Sequence, residues 1–255
     1  MTQIKLTRRI EDASLNAWPA LNVLHYDGWL LRFANGYTKR ANSVNALYEG
    51  SQAVEEKIDF CEAIYQQQRL RTVFRLTPLA MPEDLDEHLA VRGYILIDRT
   101  SVQLLDLINV DLSSSERAFI LPGRGGIESW LRSFHFLNPY RKDAETHQQM
   151  LFRIIGRICP MVLMVSGEVV ACGLGVIEGE FLGLFDMVTA KEHRRKGFGA
   201  EITSSLLAWG HDMGARYAYL QVMVDNIPAN QLYAGLGFQE TYRYWYRVDS
   251  RGNYE

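Results

Sequence analysis

The stretch KEHRRKGFGAEI, residues 191–202, sets Lys191, Arg194, Arg195 and Lys196 around two glycines and then turns apolar and helix-like. The first N–H groups of a helix have no partner in an earlier turn, and the helix dipole adds partial positive charge there, so such a start binds anions. Gly197 and Gly199 let the backbone approach a ligand with no Cβ in the way, and Arg194, Arg195 and Lys196 add charge at its edge. This is a phosphate cradle. A Walker A loop requires GxxxxGK followed by Ser or Thr, which is absent, and a dinucleotide fingerprint requires a small residue where Ile202 stands. Taken alone, the loop also fits a solvated, charged helix start with an ordinary glycine turn.

The rest of the chain is not that of a general polyanion binder. It has 255 residues, 47% hydrophobic and 11% aromatic, enough to bury a full core, and a formal net charge of −3. The basic run is therefore a local patch on a mildly acidic protein, which argues against nucleic-acid and membrane-surface partners. Cys61, Cys159 and Cys172 have no CxxC spacing and sit in apolar stretches, as small buried thiols in a reducing cytoplasm do. No apolar run approaches the length of a membrane span, and the N-terminus has no signal-peptide core, so a soluble, cytoplasmic protein is expected. His25, His88, His135, His147, His193 and His211 lack HxH or HxxxH spacing, and no metal site is expected.

Periodicity divides the C-terminal half into two helices, at about 126–137 and 143–158, and a meander of strands in MVLMVS, VVACGLGVI and FLGLFDMVT joined by glycine-containing turns. After the cradle come a helix to about Gly210, the strand YAYLQVMV, a short helix in PANQLYAGLG, and the strand TYRYWYRVD. The N-terminal half repeats the later part of this plan. It places strands within GWLLRFANGYTKRANSVNAL, then the helix AVEEKIDFCEAIYQQQ, the strand TVFRLT, the short helix PEDLDEHLAVRG and the strand YILIDRTSVQLLD. Both halves read β-α-β-α-β, with 13 residues from Gly93 to Asp106 and 12 from Gly237 to Asp249, which suggests a duplication. The N-terminal copy has YEGSQAVEE where the other has RRKGFGAEI, so the anion site belongs to the second copy alone. Residues 108–125, rich in Ser, Gly and turn residues, mark the junction between a domain of residues 1–108 and one of 109–255.

Twenty-nine residues after Gly197 comes NIPANQLYAGLGF, in which Asn226, Ala229, Leu232, Tyr233 and Gly237-Phe238 make the frame NxxAxxLYxxxGF. With LFDMVT, the RxxGxG loop and YLQVMV ahead of it, this order resembles the GNAT superfamily of acyl-CoA-dependent N-acyltransferases over about residues 115–249. The N-terminal half resembles a degenerate GNAT-type unit. The resemblance implies an α/β (α+β) fold with a mixed, mostly antiparallel central sheet flanked by helices, and a smaller αβ unit at the N-terminus. It implies acetyl-CoA as co-substrate, its pyrophosphate held by Arg195, Lys196, Gly197, Phe198, Gly199 and Ala200 with Arg194 at the edge. Its pantetheine arm would pair with Met187, Val188 and Thr189 and meet Asn226 and Ala229 on the other side. Tyr233 would lie near the sulfur.

Acyl transfer to an amine needs a neutral nucleophile, whereas an alkylammonium with pKa near ~10 is protonated at neutral pH; the departing thiolate then needs a proton. Tyr233 suits the second task, although a tyrosine on a short amphipathic helix is ordinarily a core residue. Asp186, inside an apolar strand where an unpaired acid is costly, is the candidate base, the alternative being a carboxylate facing water or an arginine. Glu178 and Glu180 read as solvated, His193 as a surface neighbour of the loop, and His135 as a packing residue. Tyr242, Tyr244 and Tyr246 share one strand face, read as packed or as an aromatic wall for an amine. Asn35, Arg40, Asn42 and Asn45 read as a solvated hairpin unless they face the cleft. The leading expectation is direct acetyl transfer to a small-molecule primary amine, or a protein amino group, without a cysteine intermediate. A non-catalytic acyl-CoA-binding regulatory module is the alternative, a nucleic-acid binder is disfavoured, and a homodimer is left open.

Overall fold

The computed structural model describes residues 2–108, 110, 112–140 and 143–251. The N-terminal half runs α1 (Gln3–Ala17), β1 (Asn22–Tyr26), β2 (Trp29–Phe33), β3 (Val44–Ala46), α2 (Val54–Gln67), β4 (Val73–Leu76), α3 (Leu85–Val91) and β5 (Tyr94–Asp106). The C-terminal half runs β6 (Ala118–Ile120), α4 (Gly123–Leu137), α5 (Ala144–Leu151), β7 (Arg157–Val165), β8 (Glu168–Glu178), β9 (Phe181–Thr189), α6 (Phe198–Asp212), β10 (Tyr217–Met223), α7 (Ile227–Gly235) and β11 (Gln239–Asp249).

All the strands join one mixed, mostly antiparallel sheet in the order β1-β2-β3-β4-β11-β5-β10-β9-β8-β7-β6. Read inward from its two edges the sheet repeats itself: an antiparallel meander, a parallel pair (β3 with β4, β9 with β10), then an antiparallel partner. That partner is exchanged between the halves. β5, the last strand of the first half, pairs with β10, while β11, the last of the second, pairs with β4; β5 and β11 pair with each other at the centre. The β-α-β-α-β echo is thus present as β3-α2-β4-α3-β5 and β9-α6-β10-α7-β11, its final strands crossed over. One apolar cluster lies beneath α1, α4 and α5, a second beneath α6, and a third beneath α2 and α3.

The sequence reading differs from the structure in four elements. It gives no helix to residues 3–17, because the buried face of α1 interrupts Ile10, Ala13 and Ala17 with Thr7, Glu11 and Ser14. Two of these polar groups have partners: Arg75 Nη2 donates to Glu11 Oε1 at 2.9 Å, Tyr242 Oη donates to the same oxygen at 2.6 Å, and Gln221 donates to Ser14 Oγ. β1 is largely exposed and was missed for want of alternation. The segment 143–158 is helical only over Ala144–Leu151, started by the Asp143 carboxylate accepting from Thr146 N and followed by turns before β7. The junction holds an edge strand, β6, and Ser115 ties it to α6, its N donating to Ser205 Oγ at 3.0 Å and its hydroxyl to Glu201 Oε1. Residues 109 and 111 of that junction lie outside the described residues.

The Glu11–Arg75 pair is almost wholly buried, with side chains 2% and 1% exposed, and joins α1, β4 and the crossed-over β11. Removing one member of a buried pair strands the other charge, at a cost of about 3–5 kcal/mol. Glu11→Ala is therefore expected to lower unfolding stability by that order in a urea titration; a loss below about 1 kcal/mol would mean the pair does not bind the halves together. No helix among the described residues is long and apolar enough to cross a membrane.

Candidate active site

The parallel pairing of β9 with β10 runs only from Tyr217–Phe181 to Leu220–Leu184. Beyond it the strands part, leaving residues 185–189 without partners on β10 and opening a slot in the middle of the sheet. A β-bulge coincides with the parting, where Asp186 and Met187 together face Gly173 of β8. Asp186 takes a left-handed conformation there, with φ of 48°. A Cβ on Gly173 would come within 2.6 Å of Met187 Sδ and 2.9 Å of Leu206, so glycine there gives Met187 the room to fold down between β8 and α6 without displacing either side chain. Gly173, the first of the two glycines in VVACGLGVI, is thus part of the site, a role its sequence context did not reveal.

At the outer end of the slot the cradle opens α6. Gly197 caps the helix with φ of 86°, and an added Cβ there would find nothing within 4 Å, so the space before the helix start is open. No side chain caps the helix, so the N–H groups of Phe198, Gly199 and Ala200 point into that space. Arg194, Arg195 and Lys196 are exposed. Arg194 Nε donates to Thr189 O at 3.3 Å, fixing the loop to the end of β9, and none of the three forms a salt bridge among the described residues. A Cβ on Gly199 would approach Leu232 to 2.9 Å, which brings the loop against α7. His193 packs beside Phe198 as a half-buried residue, ring centroids 5.8 Å apart.

Across the slot, Asn226 Oδ1 accepts from Ala229 N at 3.3 Å and starts α7, with Nδ2 as its remaining donor. Tyr233 lies on the same helix, its ring edge-on to Phe238, and burial pushes its hydroxyl up to about 12. It therefore carries its proton throughout the neutral range.

Slot and cradle lead into a cleft of about 510 Å³ that brings together Asp186, Met187, Asn226, Ala229 and Tyr233. Val188, Thr189 and residues 194–200 lie outside this cavity, along the strand end and the loop. The far wall comes from the N-terminal half. Residues 36–40 reach into the cleft because Asn42 closes their loop, its Oδ1 accepting from Ala34 N at 2.7 Å and Gly36 N at 2.9 Å and its Nδ2 donating to Thr38 O at 2.8 Å. Asn35 Nδ2 donates to Thr146 Oγ1 at 2.9 Å and pins the loop to α5. The segment is thus a cleft wall instead of a solvated hairpin, whereas Asn45 stays buried on β3. Trp18, at the end of α1, stacks on Phe185, and Tyr244 and Tyr246 complete this side, so the tyrosine face of β11 is both packed and part of the cleft.

Asp186 lines the cleft and pairs with no arginine among the described residues. Its Oδ2 lies 2.9 Å from His147 Nε2, whose side chain is fully buried, and His147 Nδ1 lies 3.2 Å from His135 Nε2. Asp186 Oδ2 and His147 Nε2 are buried and close, yet neither atom makes a hydrogen bond among the described residues, so the contact is an approach of two polar groups with hydrogen-bonding capacity left over. Trp18, Tyr37, Trp130 and Phe134 surround the His147 ring with centroids 5.0–6.2 Å away. His135 is therefore a neighbour of this cluster and not simply packing. Glu178 and Glu180 are not free in solvent either: they accept from Asn16 Nδ2 at 2.8 Å and Arg9 Nη1 at 3.1 Å, docking α1 under the sheet. The three cysteines are buried, and burial pushes the Cys61 and Cys159 thiols up to about 12. No group of three or more His, Cys, Asp or Glu among the described residues could hold a metal ion.

A mixed sheet whose parallel strands part beside a helix-start anion cradle places the chain in the GNAT class of N-acetyltransferases, whose acyl donor is acetyl-CoA. The model of the family described as "Probable histone acetyltransferase Rv0428c C-terminal" matches residues 5–247, and the chain belongs to that family. It is 30% identical over 248 residues to the uncharacterized N-acetyltransferase YobR of Bacillus subtilis, spanning 94% of this chain and 98% of that one. Its fold is similar to a GCN5-related N-acetyltransferase from Kribbella flavida, with TM-score 0.71, 16% identity, and 96% and 95% of the two chains covered. A tandem GNAT protein from the clavulanic acid biosynthesis pathway aligns with TM-score 0.58 at 15% identity over 78% and 70% of the chains. The protein is an acyltransferase of the GNAT kind.

Proposed function

We propose that the protein transfers the acetyl group of acetyl-CoA to the primary amine of a small molecule, directly, within one ternary complex. The observation that carries this reading is the shared cleft: the slot between β9 and β10 opens where Asp186 and Tyr233 meet the same cavity. The cradle fits the co-substrate, since the unfilled space before Gly197, the uncapped N–H groups and the unpaired cations all suit a pyrophosphate. In this reading Arg194, Arg195, Lys196, Gly197, Phe198, Gly199 and Ala200 hold it. The free edge of Met187, Val188 and Thr189 and the side of α7 at Asn226 and Ala229 flank its arm. Bound there, acetyl-CoA supplies an electrophilic thioester carbonyl.

An ammonium loses two protons on becoming an amide. Asp186 takes the first and frees the nitrogen lone pair; the second ends on the departing sulfur through Tyr233, whose raised hydroxyl stays protonated. His147 lies against the Asp186 carboxylate and limits where it can move, and the aromatic walls keep water from the thioester. A cleft closed by loop 36–40 and Trp18 suits a small acceptor better than a folded protein surface. The buried, protonated thiols support transfer without a cysteine intermediate.

Tyr233→Phe removes one hydroxyl from this scheme. Its kcat for thiol release is expected to fall about 10–100-fold with acetyl-CoA affinity unchanged. An unaltered kcat would remove Tyr233 from the mechanism.

A further inference from the structure

Among the cations at the cleft, Arg40 stands apart. Lys39, next to it, is paired with Asp98 at 2.9 Å, and both lie at the rim. Of the buried arginines nearby, Arg75 is paired with Glu11, and Arg32 spends its guanidinium on backbone carbonyls, donating to Arg40 O at 2.9 Å and Leu15 O at 3.1 Å. Arg40 has no carboxylate within 4.0 Å among the described residues; the Tyr244 hydroxyl is its side-chain partner, and its Nε is buried without a hydrogen-bond partner. Its guanidinium carbon lies 5.9 Å from the Trp18 ring centroid and 5.8 Å from that of Phe185, between aromatic faces that stabilise a cation but do not neutralise it. A cation held beside an open cavity by neutral hydroxyls and aromatic faces alone, with no carboxylate, has room for a ligand of opposite sign.

The opposite charge in the same cleft is Asp186, beyond the Trp18–Phe185 stack and already in contact with His147. The cavity thus offers an acceptor two unlike ends: a carboxylate for an ammonium group at the acetylation point, and a guanidinium further in. We propose that the acceptor is an amine that also carries a carboxylate, an amino acid in the broad sense, with Arg40 binding that carboxylate. The N-terminal half then selects the substrate, since Arg40 and the loop closed by Asn42 belong to it, while the C-terminal half holds the co-substrate. The proposal rests on the cleft being the acceptor site.

The test uses matched probes: glycine, β-alanine, γ-aminobutyrate and L-lysine, each beside its carboxamide and its decarboxylated amine. Binding is followed by calorimetry with CoA present, so that no turnover intervenes, and transfer separately by thiol release from acetyl-CoA. At least one carboxylate probe is expected to bind about 100-fold more tightly than its amide and amine partners. Arg40→Gln should abolish that preference, and Arg40→Lys should keep part of it. Equal binding of the amides or simple amines, or no binding by any carboxylate probe, would overturn the proposal. The wild-type comparison does not depend on the variants folding. A carboxylate preference in binding with no thiol release would leave the Arg40 assignment standing and count against acetyl transfer to these amines.

Discussion

Gly197→Glu is expected to abolish measurable acetyl-CoA binding, a loss of at least about 100-fold in affinity by calorimetry. Two effects add. Gly197 has φ of 86°, where any side chain is strained, and its Cβ would project into the open space before α6 where a phosphate belongs. The new carboxylate would then occupy the N–H groups of Phe198–Ala200 and repel the ligand it displaces. Gly197→Ala separates the two effects, since it strains the backbone without adding charge, and is expected to cost roughly ten-fold. Because the position is exposed and packs against nothing, both variants should fold. Unchanged affinity in Gly197→Glu would mean that the loop is only a solvated helix start.

Asp186→Asn is expected to lower kcat by about 10²–10⁴-fold while leaving acetyl-CoA affinity within about two-fold, because it removes the group that takes the ammonium proton and little else. Asparagine tolerates the left-handed conformation that the bulge imposes, and it matches aspartate in volume. The loss should shrink as pH rises toward the amine's own pKa, where the acceptor arrives neutral and needs no base. His147→Gln should give a smaller loss, in kcat more than in KM, since it misplaces the Asp186 carboxylate without removing it. A kcat within two-fold of the parent in Asp186→Asn, in a variant that melts normally, would assign the carboxylate to the fold instead of the chemistry.

The parts of the site legible in the sequence were those carried by contiguous motifs. The RxxGxG loop and the NxxAxxLYxxxGF frame each lie on one helix start, where local spacing determines which groups the helix end presents. What escaped depends on packing between distant segments. Asp186 stood out as an acid in an apolar strand, but its partner lies on α5 and nothing in the sequence links the two. The far wall of the cleft is further removed still: Trp18 ends a helix whose buried face mixes Thr7, Glu11 and Ser14 with Ile10, Ala13 and Ala17 and so lacks a clean apolar stripe, and loop 36–40 faces the cleft only because Asn42 and Asn35 fold it there. The repeat was visible in the order of elements, whereas the exchange of β5 and β11 was not, because a strand's alternation says which face is buried but not which neighbour it pairs with.

The most direct measurement is acetyl-CoA-dependent thiol release by the purified protein across amino acids, polyamines, aminoglycosides and a histone-tail peptide, with mass detection of the product. The account predicts turnover of a small amine, an N-acetylated product, and loss of that activity in Asp186→Asn and Gly197→Glu. Tight acetyl-CoA binding with no product from any small amine, or transfer that survives both substitutions, would contradict it.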